Sequence, residues 1–414
     1  MKHQEKLSVG ICSAPRIAFN LLKPCTFDGR TWSGPQIAVF EAGRIALDGT
    51  LYDEVNFECT EDEAEFSSAV FALADVTIGV EFHWERKETQ QFAGNLRLIV
   101  EGGKVTAVNV IGIEDYLRSV IASEMQSSAP AEFLKASAVI SRSWLIAQIR
   151  KKEKSLPRPE PKPDGGRFIR WWDREDHRNF DVCADDHCQR YQGLGRVVAS
   201  KVDAVIRQTW GEVLTYGGNI CDARFSKCCG GVTERFSSCW ENKDYPYLQS
   251  LADAPAEGAD PFCKTRDRRM LSHVLNDYDI ESMDFYEWNV SYTRAQLSDI
   301  VRRRSGIDFG EIHDLVPLRR GPSGRIIELE IVGTKKALVI GKELVIRRWL
   351  SESHLRSSAF TVSYEGDNIV LNGHGWGHGV GLCQIGAAVM GDKGYKYSEI
   401  LAHYFPGAEL TKQY

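Results

Sequence analysis

Hydrophobic and polar residues alternate along much of the first 110 positions, a pattern typical of half-buried strands. Residues 96–100 and 105–110 are two β-rich runs, and Gly102 and Gly103 lie between them. A glycine pair between two such runs indicates a β-hairpin. We therefore predict a β-rich N-terminal region over residues 1–90, followed by a hairpin that leads into the first helix.

Helical patterns follow the hairpin. Ile113, Leu117 and Val120 recur at steps of three and four, and a second such stripe begins at Phe133. Glu124 occupies the next position of the first stripe, where the helical period predicts a hydrophobic residue. Burial disfavours the charged form of a carboxyl group, so we expect a pKa raised towards the range of a general acid. The alternative is a helix-terminal glutamate that reaches solvent or bonds a backbone amide.

The remaining chain divides into regions of different composition. Residues 91–265 form a predicted core region, with an insertion at 151–193 that begins in a proline-rich segment. Residues 266–352 mix helical and strand patterns and are predicted to be an inserted subdomain. Residues 353–414 are expected to complete the core with a glycine-rich segment. The predicted fold class is α+β, with mixed sheets, a few helices, an elongated groove and an inserted α/β subdomain.

Composition and charge exclude several classes of protein. Of the 414 residues, 43% are hydrophobic and 26% are charged, as in folded globular chains and unlike disordered or fibrous ones. The formal net charge of −6 argues against a general affinity for nucleic acid or anionic membranes. No stretch approaches the ~18 consecutive apolar residues of a transmembrane helix. The first ten residues lack the apolar run of a secretion signal, so we expect a cytoplasmic chain or one whose leader has been removed.

The cysteines suggest a metal site. Seven of the eleven fall between Cys183 and Cys263, a local clustering that favours a metal site or a few local bridges. Two imidazoles and two thiols lie within twelve residues, at His177, Cys183, His187 and Cys188. This combination suits tetrahedral Zn²⁺, and four protein ligands leave no open position, so we predict a structural zinc. The alternative is a Cys183–Cys188 disulfide beside a surface histidine.

Two glycine-containing segments have a composition suited to close contact with a ligand. Residues 228–231 combine two cysteines with two glycines, which allow the backbone to approach a neighbour closely. Five glycines between 373 and 381 surround His374 and His378, so these histidines are not expected to share a helix. The second loop suits contact with an extended polymer, with Trp376 as a stacking face. Tight internal packing predicts the same composition.

Three blocks of the sequence, in order, resemble the SpoIID/LytB family, the stage II sporulation protein D and amidase-enhancer group of bacterial cell-wall proteins. The first block covers residues 109–149 and contains Ser123-Glu124-Met125. The second covers 225–248. The third covers 373–407 and contains the glycine-rich loop around His378. The resemblance therefore extends over most of the chain after residue 90.

The resemblance implies a peptidoglycan lytic transglycosylase that cleaves the MurNAc–GlcNAc bond, especially in denuded strands, and leaves 1,6-anhydroMurNAc ends. The catalytic acid of the family falls on Glu124. The C6 hydroxyl of the sugar attacks C1, so one carboxyl group can act first as acid and then as base, where hydrolytic glycosidases usually need two. Lys135 or Arg142 would hold the lactyl carboxylate. Further expected groove residues are Tyr191, Ser226, His378 and Gln384.

The same resemblance implies a zinc ion in the histidine- and cysteine-containing loop, a location in the periplasm or cell envelope, and peptidoglycan as the partner. We expect Glu124, the turn at 228–233 and the glycine-rich segment at 373–384 to line one elongated groove. Two other functions remain open. One is a non-catalytic glycan-binding module that stimulates a cell-wall amidase. The other is a metallohydrolase that uses the metal directly, which an open coordination position would favour.

Overall fold

The computed structural model describes residues 5–59, 66–79, 85–126, 128–152, 163–171, 177–185, 187–195, 197, 199–275 and 285–414. Its strands are β1 Lys6–Ala14, β2 Arg16–Phe27, β3 Arg30–Glu41, β4 Arg44–Leu47, β5 Thr50–Tyr52, β6 Val55–Cys59, β7 Phe71–Ile78, β8 Arg86–Phe92, β9 Asn95–Glu101, β10 Lys104–Gly112, β11 Arg167–Ile169, β12 Val182–Cys183, β13 Glu212–Tyr216, β14 Asn219–Ile220, β15 Phe225–Ser226, β16 Glu287–Thr293, β17 Ile312–Arg320, β18 Ile326–Gly333, β19 Ala337–Gly341, β20 Phe360–Glu365, β21 Asn368–His374, β22 Leu382–Cys383 and β23 Glu409–Lys412.

The helices in these ranges are α1 Ile113–Glu124, α2 Ala131–Lys152, α3 Ala199–Gln208, α4 Phe236–Cys239, α5 Arg268–Val274, α6 Arg294–Ser305, α7 Glu343–Trp349, α8 Gln384–Asp392 and α9 Tyr397–Tyr404. None of them combines the length and the apolar character that crossing a membrane requires. The proline-rich segment predicted at the start of the 151–193 insertion lies largely outside the described residues.

The largest sheet in the described ranges has eleven strands and contains the N-terminal region. Within it, β9 and β10 pair antiparallel and are joined at Gly102 and Gly103, whose φ angles are 57° and 72°. Glycine adopts such angles without strain, as a two-residue hairpin turn requires. The predicted hairpin is therefore confirmed. A disulfide between Cys25 and Cys59 joins the neighbouring strands β2 and β6.

Helix α1 begins directly after β10 and is enclosed along its whole length, since every residue from Ile113 to Glu124 is buried. Helices α2 and α3 pack against it. The predicted apolar stripe is present, but the polar face is covered as well, because its side chains find partners inside the protein. Asp115, for example, pairs with Arg118 at 3.0 Å. Glu124 is therefore buried as predicted, because the protein encloses the whole of α1 and not only its apolar stripe.

A second hydrophobic core lies between residues 288 and 371. Strands β17, β18 and β19 form one of its sheets, which β11 joins at the edge, and β16, β21 and β20 form another. Residues 288–350 supply most of this core, and residues 355–371 supply the rest. The predicted subdomain boundaries at 266 and 352 stay a prediction. The mixture of sheets and helices confirms the α+β fold class.

Candidate active site

Glu124 is the last residue of α1, and only 8% of its surface is exposed. Its Oε1 accepts a hydrogen bond of 3.0 Å from the backbone N–H of Arg190. The hydroxyl of Ser123 accepts another, of 3.1 Å, from the backbone N–H of Gln192. Residues 190–192 therefore lie across the end of α1. Both sequence interpretations describe part of this arrangement, because the glutamate is buried and also bonds a backbone amide.

Buried side chains hold this crossing segment in place. The Tyr191 hydroxyl donates a 2.5 Å hydrogen bond to Oδ1 of Asn109 in β10, and the Tyr191 ring stacks on Tyr116 of α1 with centroids 5.0 Å apart. The Tyr116 hydroxyl donates to Oε1 of Gln189 at 3.1 Å. Burial raises the pKa of Tyr191 well above its ordinary value. Tyr191, predicted to bind substrate, is thus enclosed and anchors the segment that contacts Glu124.

Arg142 lies in a buried ion pair. Its guanidinium is 2.6 Å from the Glu114 carboxylate, and both side chains are fully buried. Arg142 also donates a 2.9 Å hydrogen bond to the backbone carbonyl of Glu212, and Tyr414 donates a 2.6 Å bond to Glu114. The charge of Arg142 is therefore neutralised inside the protein, where it joins α1 to α2. The Arg142 side chain is therefore not accessible to a glycan.

Lys135, the second predicted anion-binding residue, lies near the start of α2. Its ammonium group is 2.7 Å from Glu132, and 16% of its side chain is exposed. It also lies 5.7 Å from the ring centroid of Tyr397 in α9. The Tyr397 backbone N–H donates a 2.9 Å hydrogen bond to Glu132. Lys135 is therefore partly accessible, and its nearest acidic partner is on its own helix.

Ser226 and Gln384 come together through the pairing of β15 with β22. These strands run parallel, with Ser226 opposite Cys383, the residue before Gln384. Ser226 is 7% exposed and Gln384 is 3% exposed. The Ser226 Oγ and the Gln384 Nε2 are buried without a hydrogen-bond partner among the described atoms. An unsatisfied buried polar group costs about 1–3 kcal/mol, so a bound water molecule or a ligand group that bonded these two atoms would stabilise the region.

The glycine-rich loop packs tightly against the 228–231 turn. Cys228 and Trp376 exchange two backbone hydrogen bonds of 3.0 and 2.8 Å. A Cβ added at Gly375 would lie 3.0 Å from the Cys228 carbonyl oxygen, so the glycine permits this approach. Trp376 stacks on Phe285 with centroids 5.1 Å apart, and the Arg356 guanidinium lies 5.4 Å from the Trp376 ring. Internal packing therefore explains much of the glycine-rich composition of the loop.

His378 is an uncharged residue of the same loop. Its Nδ1 accepts a 3.0 Å hydrogen bond from the Val380 backbone N–H, and its ring lies 4.9 Å from that of Trp240. Burial, followed by the positive charges of Arg224 and Arg325, lowers the pKa of His378 well below its ordinary value. His378 can therefore hydrogen-bond as a neutral imidazole.

The Glu124 region and the Ser226–Gln384 region meet the same end of α5. The Gln126 backbone N–H donates a 3.2 Å hydrogen bond to the His273 carbonyl, and the Lys227 ammonium donates a 3.3 Å bond to the Val274 carbonyl. The Ile385 backbone N–H donates to the Lys227 carbonyl at 3.1 Å. Both regions therefore contact the C-terminal end of α5. A single groove containing Glu124 and both glycine-containing segments stays a prediction.

The structure brings the four residues of the predicted zinc site together. One ligand atom from each lies within 4.8 Å of every other, at His177, Cys183, His187 and Cys188. His177 Nε2 is 3.2 Å from His187 Nδ1, which is 3.5 Å from Cys188 Sγ. Ligands placed tetrahedrally at ordinary zinc distances would be about 3.3 Å apart for two nitrogens and about 3.6 Å for nitrogen and sulfur. The donor set therefore fits Zn²⁺.

The surroundings of Cys183 favour the thiolate that a metal requires. A hydrogen bond from Cys188, together with smaller contributions from His177 and His187, lowers the pKa of Cys183 to about 2. Strand β12, which ends at Cys183, runs parallel to β1 and extends the main sheet. The chain then reaches Arg190 two residues after Cys188. The metal loop and the Glu124 contact are therefore consecutive parts of one segment.

Sequence reasoning missed the residues that position Glu124. Asn109, Gln189 and the backbone of Arg190 do not stand out in the sequence, because each acts through a partner distant along the chain. Asn109 is fully buried, and its Nδ2 donates hydrogen bonds to the carbonyls of Ala93 and Asn95 at 2.8 and 3.1 Å. The sequence feature that could have identified Asn109 is its position as a polar residue inside the apolar run of β10.

Comparison with known proteins gives two matching family models. Residues 101–216 match the stage II sporulation protein model, SpoIID, and residues 234–381 match a domain of unknown function, DUF8618. The first model contains Glu124, all four residues of the candidate zinc site and the 189–192 segment. The second contains the 373–381 loop.

Curated relatives extend over most of the chain. It is 24% identical over 306 residues to stage II sporulation protein D of Bacillus amyloliquefaciens, covering 74% of this chain and 76% of the relative. It is 26% identical over 322 residues to an uncharacterized protein of Brachyspira hyodysenteriae, covering 78% and 72%. It is 24% identical over 325 residues to the amidase enhancer of Bacillus subtilis, covering 71% of this chain and 40% of that protein.

Proposed function

Because the chain belongs to the SpoIID/LytB family, we propose that it is a lytic transglycosylase that cleaves the MurNAc–GlcNAc bond of peptidoglycan glycan strands. The family supports a role related to the cell wall, and the cleavage itself is our proposal. The observation that supports it most is Glu124, a buried carboxyl group whose Oε1 is oriented by the Arg190 backbone N–H at 3.0 Å. Strands stripped of stem peptides are the proposed substrate.

The proposed reaction uses one carboxyl group twice. Glu124, as the acid, gives its proton to the glycosidic oxygen while the bond from that oxygen to C1 of MurNAc breaks. The C6 hydroxyl of the same MurNAc then forms a bond to C1, and the Glu124 carboxylate removes the hydroxyl proton. The products are a free GlcNAc hydroxyl and a 1,6-anhydroMurNAc end. No water is consumed, which distinguishes the reaction from hydrolysis by a carboxylate pair.

Substrate contacts are assigned to the second region. The Ser226 Oγ and Gln384 Nε2, which have no hydrogen-bond partner among the residues that the structure describes, suit hydroxyl and acetamido groups of a glycan. His378 is neutral, lies beside Trp240 and already bonds the backbone of Val380 and Phe225, so we assign it to shaping the groove wall. Lys135 supplies a partly exposed positive charge for the lactyl carboxylate. We assign Arg142 and Tyr191 to positioning, because both are enclosed by protein.

The loop with paired histidines and cysteines is proposed to hold a structural Zn²⁺ through His177, Cys183, His187 and Cys188. The ion supplies no chemistry to the reaction, since four protein ligands complete a tetrahedron. Its effect is mechanical, because it restrains the loop immediately before the Gln189–Gln192 segment. That segment provides the backbone N–H bound to Glu124.

The family is associated with the cell envelope, and we propose that the protein acts outside the cytoplasm. The Cys25–Cys59 disulfide supports this location, because disulfides form and persist mainly in oxidising compartments. A second candidate function is a non-catalytic glycan-binding module that stimulates a cell-wall amidase. The similarity to an amidase enhancer favours it.

An isotope experiment separates these functions. The purified protein is incubated with denuded glycan strands in water enriched in ¹⁸O, and the products are analysed by mass spectrometry. The proposal expects 1,6-anhydroMurNAc ends without ¹⁸O. Reducing ends that contain ¹⁸O would indicate a hydrolase, including the metal-dependent one. Strands that bind without any cleavage would favour the glycan-binding module.

A further inference from the structure

A second group of metal-ligand side chains lies in the interior, in parts of the chain that the predicted zinc site does not use. One atom from each residue lies within 4.8 Å of every other, at Cys229, Asp253, Cys263 and Cys383. All four residues are buried, none with more than 1% of its surface exposed. We propose that they bind a second structural Zn²⁺, independent of the glycan chemistry proposed above.

The spacing of the sulfur atoms suits coordination. Cys229 Sγ and Cys263 Sγ are 3.6 Å apart. Two thiolates at ordinary Zn–S distances on a tetrahedron would be about 3.8 Å apart, whereas a disulfide would bring them to about 2.05 Å. Three thiolates and one carboxylate are ligands that Zn²⁺ accepts. The four donors fill a tetrahedron and leave no position for substrate.

Hydrogen-bonding neighbours already orient the ligands, as the groups around metal ligands commonly do. Asp253 accepts a 2.5 Å hydrogen bond from the Tyr404 hydroxyl and a 2.9 Å bond from the Cys263 backbone N–H. The Cys229 backbone N–H lies 3.3 Å from Cys383 Sγ, to which it donates. Arg325 donates a 3.0 Å bond to the Cys229 carbonyl, which places a positive charge beside the cluster.

The redox setting gives an independent reason for a metal. The chain contains the Cys25–Cys59 disulfide, so it is expected to mature where thiols oxidise. Thiols in van der Waals contact, such as those of Cys229 and Cys263, would there be poised to pair with each other. Coordination to Zn²⁺ keeps such sulfurs as thiolates. The thiol of Cys228, which is also fully buried, makes hydrogen-bond contacts with those of Cys263 and Cys383. Cys228 is nevertheless not among the four residues whose ligand atoms all lie within 4.8 Å of one another.

The site would join three distant segments close to the Ser226–Gln384 region. Cys229 lies in the 228–231 turn, Asp253 and Cys263 flank the loop after the second family block, and Cys383 immediately precedes Gln384. Their separation in sequence means that the metal would cross-link the fold rather than a single loop. The second zinc therefore stabilises the packing beneath this region.

Metal analysis of the full chain, expressed with added zinc, tests the proposal. We expect two zinc ions per chain in the unmodified protein. Cys263→Ser should remove one of them, and His187→Ala should remove the other. Cys221→Ser is the matched control, because Cys221 is fully buried and outside both groups, and it should leave both ions bound. Cys263→Ser protein that keeps two zinc ions would overturn the proposal.

A second measurement needs no variant, so it still applies if Cys263→Ser does not fold. Zinc-edge X-ray absorption of the unmodified protein should show about 2.5 sulfur ligands per zinc when both sites are filled, and about two when only the His177 site is filled. The second result would overturn the proposal. Bound iron with acid-labile sulfide, or disulfides among the three cysteines in peptide mapping, would also overturn it.

Discussion

The backbone N–H of Arg190 donates a 3.0 Å hydrogen bond to Oε1 of Glu124. The proposed catalytic acid is therefore oriented by the main chain of a segment 66 residues away in sequence. That segment begins directly after Cys188, the last residue of the candidate zinc site. Because the two are adjacent in the chain, we expect the orientation of the acid to depend on the order of the metal loop.

The substitution Glu124→Gln should remove catalysis while leaving the fold intact. The amide side chain keeps the size of the original and an oxygen that accepts from Arg190, but it has no titrating proton. General acid–base groups contribute about 10²–10⁴ in rate, so release of anhydro ends should fall by at least that lower factor. Strand binding in a pull-down assay should stay near normal. Near-normal turnover by Glu124→Gln protein would place the acid elsewhere.

Loss of the metal from the His177 loop should loosen the segment that orients Glu124. We expect His187→Ala, or removal of the ion by a chelator, to speed hydrogen–deuterium exchange at the backbone N–H groups of Arg190 and Gln192, because metal binding restrains the loop before them. Turnover should fall with little change in strand binding. Exchange in the β9–β10 hairpin serves as the internal control and should not change. Protection of Arg190 that is insensitive to the metal would contradict the coupling.

Tyr191→Phe tests whether Tyr191 positions the segment rather than binding substrate. The change removes the 2.5 Å hydrogen bond to Asn109 and leaves a buried acceptor, so unfolding free energy should fall by about 1–3 kcal/mol. The Michaelis constant should change little compared with kcat. Tyr52→Phe is the control, because within the described part of the chain the Tyr52 hydroxyl makes one exposed 3.4 Å bond, to Asp28. A raised Michaelis constant with unchanged stability would return Tyr191 to the substrate-binding residues.

Arg142→Met should destabilise the protein through the Glu114 carboxylate that it leaves unpaired. Removal of one partner of a fully buried ion pair costs about 3–5 kcal/mol, to be measured by chemical denaturation. Arg44→Met offers the contrast, because the Arg44–Asp53 pair is exposed and exposed pairs are worth about 0–1 kcal/mol. Equal effects of the two changes would argue against a structural role for Arg142.

Ser226→Ala should weaken glycan binding without loss of stability, whereas Ser143→Ala should lower stability without a specific loss of glycan binding. The Ser226 Oγ is buried without a described partner, so its removal should leave stability equal or higher while weakening glycan binding. The Ser143 Oγ donates to the Val139 carbonyl at 2.6 Å and accepts from the Leu214 backbone N–H at 2.9 Å. Its removal should lower the melting temperature without a specific binding defect. Unchanged glycan affinity of Ser226→Ala protein would exclude Ser226 from the substrate contacts.

Local spacing was sufficient for the features whose partners are close in the chain. The hairpin from β9 to β10 follows from two β-rich runs and a glycine pair, because chain connectivity leaves such neighbours few other ways to pair. The four residues of the candidate zinc site lie within twelve positions. Their spacing therefore predicted that they could meet in one loop, as they do in the structure. The period of α1 also predicted a buried Glu124, although the structure buries every residue of that helix and not only its apolar stripe.

Only the tertiary structure decided the roles that depend on distant partners. Arg142 and Tyr191 look available for substrate in the sequence, but Glu114 and Asn109 enclose them, and which residues meet across such distances depends on sheet and helix packing. The Cys229–Cys383 group has no motif spacing at all, since its four ligands come from three segments. The order of residues limits what a single loop can bind, whereas the packing of whole elements determines which distant side chains share one interior.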